Sequence, residues 1–67
     1  MIQVTVNGDA RRFDGPIDVL ALIVTLELAG KKIAVERNGE IVPKSAHSNT
    51  FLADGDQLEI VVAVGGG

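Results

Sequence analysis

Ile2-Gln3-Val4-Thr5-Val6-Asn7-Gly8 alternates apolar and polar residues and then closes on a turn pair. A period of two marks a strand with one buried face, which places Ile2, Val4 and Val6 inward. Asn7-Gly8 supplies the two-residue type I′ turn, because both of its central positions need positive φ and these residue types tolerate it. A return strand follows over residues 10–14, with Phe13 as its core residue. Asp14-Gly15-Pro16 breaks that strand, and Pro16 suits the first turn of a helix, where its missing N–H costs nothing.

From this hairpin outward, the spacing predicts a helix over 17–28 that ends at Gly30 in a left-handed cap. Asp18 falls in its first turn, where a negative charge complements the helix dipole. Ile17, Leu20, Ala21, Val24 and Leu28 share a face expected to pack on the sheet. A second stripe, Val19, Leu22, Ile23 and Leu26, is also apolar. Either it packs beneath a loop or it forms an exposed patch available to a partner. Residues 31–37 read as a strand with Ile33 and Val35 inward, and Asn38-Gly39 is a second hairpin turn of the same kind. Ile41-Val42 is a short strand stopped by Pro43. Residues 44–49 are polar and loop-like, with scope for a helical turn. Phe51 and Leu52 are expected in the core, and Asp54-Gly55-Asp56 reads as a turn. Leu58, Ile60 and Val62 alternate inward along the last strand. The order strand, strand, helix, strand, short strand, strand defines an α+β fold, one sheet with one helix packed across one face.

The 67 residues make one domain, and a chain of this size buries only about 60% of its unfolded surface. It contains no cysteine, so neither disulfides nor a thiolate zinc site support the core. Secreted domains this small usually need such staples, which makes a cytoplasmic location the expectation. Hydrophobic residues at 46% and charged residues at 22% exclude a disordered chain. The longest apolar stretch, within residues 19–26, is too short to span a bilayer, and no basic segment precedes it as in a signal peptide. A net charge of −3 argues against a nucleic-acid partner. Arg11-Arg12 and Lys31-Lys32 read as isolated, solvated pairs.

Catalytic constellations are scarce. The single histidine, His47, lies near Ser45 and Ser48 in the polar segment. A hydroxyl–imidazole pair suggests a nucleophile, but adjacent loop residues rarely build one, so His47 reads as a solvated surface residue. Asp54-Gly55-Asp56 shares the opening of a calcium loop but lacks its ligand spacing and closing glutamate. No glycine-rich loop joins a strand to a helix. The expectation is a domain that is not an enzyme and holds no metal.

The remaining feature is the ending, Leu58-Glu59-Ile60-Val61-Val62-Ala63-Val64 followed by Gly65-Gly66-Gly67. This divides the chain into a folded part, 1–64, and a flexible glycine tail, 65–67. Glycines at a terminus are compatible with simple fraying or an expression remnant. They are equally compatible with a segment narrow enough to thread a slot that any Cβ would block. An α-carboxylate at the end of such a segment is inert until ATP-dependent adenylation activates it. The acyl-adenylate is then open to an amine, giving protein conjugation, or to sulfur, giving a thiocarboxylate.

Residues 1–8 with IQVTVNG, residues 38–43 with NGEIVP, and residues 54–67 with DGDQLEIVVAVGGG together resemble the ThiS family of sulfur carriers in thiamine biosynthesis. That family lies within the β-grasp, ubiquitin-like superfamily, which implies a mixed sheet with one helix across one face. The resemblance spans the whole chain. It implies that Gly67 is adenylated by a ubiquitin-activating-like (ThiF-type) adenylyltransferase using ATP and magnesium. Gly67 would then be converted to a thiocarboxylate with sulfur from a desulfurase and passed to a ThiG-type thiazole synthase. Gly65 and Gly66 would be the access segment, and the carrier itself would bind no cofactor.

Two features depart from the family pattern. The helix VLALIVTLEL is more apolar than usual, and Pro16 stands where a hydroxyl or acidic cap is common. Val61 and Ala63 point away from the helix and are either part of a partner surface or strand filler. Rival readings are a carrier for another pathway (the molybdopterin synthase small subunit, tRNA thiolation or a secondary metabolite), a ubiquitin-like modifier of lysines, and a binding domain with inert glycines. The expected solution state is a monomer.

Overall fold

The computed structural model describes residues 1–63. Its strands are β1 (Ile2–Val6), β2 (Asp9–Phe13), β3 (Ile33–Arg37), β4 (Glu40–Val42) and β5 (Gln57–Val62), with one helix, α1 (Val19–Thr25), and a 3-10 turn at Lys44–Asn49. They form a five-stranded sheet in the order β2-β1-β5-β3-β4. β5 sits at the centre, parallel to β1 and antiparallel to β3. This is the α+β, mixed-sheet arrangement that the resemblance implied. Both hairpins close as expected, with Asn7 at φ 50 and Gly8 at φ 88, and Asn38 at φ 51 and Gly39 at φ 86. Positive φ at both central positions is the type I′ signature and matches the right-handed twist of the strands.

One core joins the inner face of the sheet to the helix. Val4, Val6, Val35, Leu58 and Ile60 of the sheet cluster with Val19, Leu22 and Ile23 of α1. The helix therefore buries the stripe that was expected to lie beneath a loop or in solvent. Leu20, Ala21 and Val24, expected against the sheet, are exposed instead. When both stripes are apolar, periodicity cannot choose between them. Here the helix ends settle the rotation, and they lie inside the expected 17–28 span.

Asp18 is the N-cap rather than a first-turn residue, and its Oδ1 accepts the Ala21 N–H at 2.7 Å. An Asp N-cap satisfies one of the first-turn donors that the helix cannot pair internally. Pro16 therefore lies before the helix instead of opening it. On either side of the cap, Val19 N–H donates to the Thr50 carbonyl and Leu52 N–H to the Ile17 carbonyl, both at 2.9 Å. This short pairing sets residues 50–52 in strand-like alternation. Leu52 turns inward and buries, whereas Phe51, expected in the core, faces out and is 56% exposed.

At the other end, Glu27 N–H bonds the Val24 carbonyl and Leu28 N–H bonds the Ile23 carbonyl, each at 3.0 Å. This pair of bonds is a Schellman motif. Its left-handed position is Glu27, at φ 61, three residues before the expected stop at Gly30. A non-glycine residue there carries a steric penalty of roughly 1–2 kcal/mol. Glu27→Gly is accordingly expected to stabilise the domain by about 1 kcal/mol, raising the thermal midpoint by roughly 4–8 °C. An unchanged or lower midpoint would contradict this account of the helix end.

Val62 also departs from expectation. It shares the inward side of β5 with Leu58 and Ile60 but is 40% exposed. It pairs with Ile33, which is itself only partly buried, so core cover thins toward this end of the sheet. His47 is a further correction. It is buried, not solvated, and its Nε2 lies 3.2 Å from the Val42 carbonyl. A carbonyl can only accept, so this contact requires the Nε2–H tautomer.

Candidate functional site

The sequence points to the end of β5, and the structure shows how that strand is held. Along its first half, Thr5 N–H donates to the Asp56 carbonyl and Asn7 N–H to the Leu58 carbonyl, both at 2.9 Å. Asn7 adds a side-chain clamp, with Nδ2 donating to the Ile60 carbonyl at 3.0 Å and Oδ1 accepting the Ile60 N–H at 2.8 Å. From the other flank, Asn38 N–H donates to the Gln57 carbonyl at 2.7 Å, while its Oδ1 accepts the Gln57 N–H at 2.9 Å. The two hairpin asparagines thus have a second task beyond their turn geometry. Each one grips the central strand.

Asp56 completes the anchor. It is buried, and its Oδ2 accepts the Ala53 N–H and the Arg37 Nε–H, each at 2.7 Å. Its Oδ1 accepts from Asn38 Nδ2 at 3.0 Å. Burial by itself would raise the Asp56 carboxyl, but the Ala53 N–H, the Arg37 guanidinium and the Asn38 amide together hold it below the ordinary value. What read as a plain turn is therefore a charged plug between β5 and the β3–β4 hairpin. The sequence carried one hint, an acidic residue directly before an apolar strand, but its partner Arg37 lies too far away along the chain to be read.

The outer face of the sheet is open. Val61 is 60% exposed, and Ala63 is exposed as well. Opposite Val61 stands Ala34, and the next pair along is Glu36 with Glu59. Ile41 lies beyond Glu36 on β4. On the solvent side the Val61–Ala34 pair thus lies beside a row of Glu59, Glu36 and Ile41, an apolar pair next to two carboxylates. Ala63 N–H donates to the Lys32 carbonyl at 2.8 Å, which ties the last described residue to the residue just before β3. Val64, Gly65, Gly66 and Gly67 lie outside the described residues. Among the described residues, no group of His, Cys, Asp and Glu side chains is arranged to hold a metal ion, and no helix is long and apolar enough to cross a membrane.

The model of the ThiS family matches residues 4–67, from the first strand through the last glycine. The chain belongs to the ThiS family. It is 46% identical over 66 residues to a thiazole synthase of Paramagnetospirillum magneticum, covering 98% of this chain and 20% of that protein. The chain therefore spans about a fifth of the length of that relative. It is 44% identical over 46 residues to the sulfur carrier protein ThiS of Bacillus subtilis, covering 69% of this chain and 70% of that one. The crystal structure of the thiamine biosynthesis protein ThiS from Geobacter metallireducens superposes with a TM-score of 0.82 at 35% identity, covering 98% of this chain and all of that chain. ThiS-family membership and the mixed-sheet fold thus rest on sequence and structure together.

Proposed function

We propose that this chain is a sulfur carrier of thiamine biosynthesis whose working atom is the α-carboxylate carbon of Gly67. The observation that carries the reading is the family match, which extends to Gly67. In the proposed sequence, a carboxylate oxygen of Gly67 attacks the α-phosphorus of ATP on a ThiF-type adenylyltransferase, and pyrophosphate leaves. The terminal sulfur of a persulfide, charged by a desulfurase, then attacks the acyl carbon with AMP as the leaving group, and a thiol cleaves the resulting acyl disulfide, forming a new disulfide and releasing the thiocarboxylate. A ThiG-type thiazole synthase takes the sulfur for thiazole formation. ATP and magnesium belong to the activating partner. The carrier contributes no catalytic group and works in the cytoplasm.

The fold supports this role by rigidity at the root of the tail. β5 is central and clamped from both sides as far as Ile60, and the β3 flank carries the pairing on to Ala63 through the Lys32 carbonyl. Gly65 and Gly66 supply narrowness where a Cβ would obstruct entry to a partner's slot. Val61, with Ala63 beside it, is read as part of the surface the partner grips. Val61→Asp is expected to weaken association with the activating enzyme about tenfold or more, through an unpaired charge in a desolvated contact. The thermal midpoint should barely move, because the site is exposed. Unchanged affinity in a titration would remove Val61 from the interface.

Complementation tests the pathway. The 67-residue chain, expressed in a bacterium lacking its own thiamine sulfur carrier, is expected to restore growth without thiamine, and the chain lacking Gly67 is not. Rescue of a molybdopterin carrier deletion instead would assign the chemistry to the other acceptor.

A further inference from the structure

A groove of about 500 Å³ runs between α1, the connection to β3 and the 3-10 turn. Its floor is apolar, formed by Leu20, Leu28 and Ile33, and three cations line it, Lys31, Lys32 and Lys44. No carboxylate is among the lining residues. All three lysines are exposed, and among the described residues the ion pair is Arg37 with Asp56, which involves none of them. Half of the chain's 6 Lys and Arg residues thus gather at one groove of a molecule whose net charge is −3. Such a basic patch on an acidic background does little for the fold, but it orients and selects an oppositely charged partner. The apolar floor continues onto the outer helix surface through Leu20 and, one turn on, Val24.

Position adds to chemistry. The Lys32 carbonyl accepts the Ala63 N–H, so the rim of the groove borders the point where the chain leaves the sheet. Four residues follow Ala63, and four extended residues span at most about 14 Å. A protein that grips Gly67 therefore holds it within about 14 Å of Ala63, which leaves the groove rim at Lys32 within reach of that protein.

We propose that this groove docks an acidic segment of the protein that takes up the tail. An apolar side chain of that segment seats between Leu20 and Ile33, and its carboxylates pair with Lys31, Lys32 and Lys44. A compact anion such as phosphate would call for donors converging on one point. Here the lysines share the lining with Leu20, Ile23, Leu28 and Ile33, a combination that matches a segment mixing apolar and acidic residues better than a bare anion. The inference rests on the carrier reading, because it takes the tail's recipient as the partner.

The test uses the full chain with two probes, the ThiF-type activating enzyme and the ThiG-type thiazole synthase of the same organism. Binding is followed by fluorescence anisotropy at low and high salt. The variants are Lys31→Glu/Lys32→Glu, the milder Lys31→Gln/Lys32→Gln, and Arg11→Glu/Arg12→Glu, which makes the same charge change on edge strand β2. Circular dichroism checks that each variant is folded. The lysine reversal is expected to weaken at least one probe by about tenfold or more at low salt, with an intermediate loss for the glutamine pair. The arginine reversal should stay within about twofold, and the wild-type affinity should fall as salt screens the contacts. Equal losses in the two reversals, no loss in either, or no binding of either probe to the wild type would overturn the docking site. Intact mass on the same samples separates this from the carrier reading. Thiocarboxylate in the wild type with groove-independent binding sinks the docking site alone. Groove-dependent binding without any thiocarboxylate supports docking and sinks the carrier.

Discussion

Asp56→Ala is expected to lower the unfolding free energy by about 3 kcal/mol, because it strips a buried carboxylate from three donors at once. The Ala53 N–H, the Arg37 Nε–H and the Asn38 amide all lose their acceptor together. A domain of this size has roughly 3–10 kcal/mol of stability in total, so this single change removes roughly three tenths of it or more. Urea unfolding would show it as a lower midpoint at constant slope. A loss under about 1 kcal/mol would mean the plug is dispensable.

The same group sets an acid limit. Its folded pKa lies below its ordinary value of 3.8, so the folded chain takes up this proton less readily than the unfolded chain. The stabilisation is present in full above the unfolded value and is lost as the pH falls from there through the lower folded value. Asp56→Asn cannot titrate. The stability gap between wild type and Asp56→Asn should therefore be flat from about pH 5 to 8 and narrow below about pH 4. A gap that widens in acid would contradict the sign of the shift.

The second large effect is expected in the tail. Gly66→Val should leave the thermal midpoint unchanged while lowering kcat/KM for adenylation about 100-fold, since a displacement of about 1 Å at a reacting centre costs that much. Steady-state pyrophosphate release by the activating enzyme would measure it. A variant as good as wild type would mean that the slot receiving the tail has room for a side chain, and that the glycines are not there for narrowness.

Much of this fold is local in origin and could be read from the chain. The two Asn-Gly turns carry their own conformational demand, and alternation in β1 and β5 names the residues that face the helix. What could not be read depends on partners distant in sequence. Asn7 reaches Ile60, Arg37 reaches Asp56, and no spacing rule links such positions. The helix rotation was hidden for a different reason. With Leu20, Val24, Leu22 and Ile23 all apolar, hydrophobicity had no preference, and the choice fell to the Asp18 cap, the Schellman turn at Glu27 and the strand-like pairing at Thr50 and Leu52. Phe51 and His47 exchanged their expected places because that pairing turns Phe51 outward, while the 3-10 turn brings His47 to the Val42 carbonyl. As for the site, the outward placement of Val61 and Ala63 was legible from alternation. The lysine groove was not, because Lys44 joins Lys31 and Lys32 only in the folded chain.

The proposed chemistry of this chain resides in the carboxylate of Gly67. Intact-protein mass spectrometry after incubation with the ThiF-type enzyme, ATP, magnesium, a desulfurase, cysteine and a thiol reductant tests it most directly. The expected result is replacement of one oxygen by sulfur, localised to the last residue by fragmentation, dependent on ATP and absent when Gly67 is deleted. An unchanged mass with a competent activating enzyme, or sulfur found on any other residue, would contradict it.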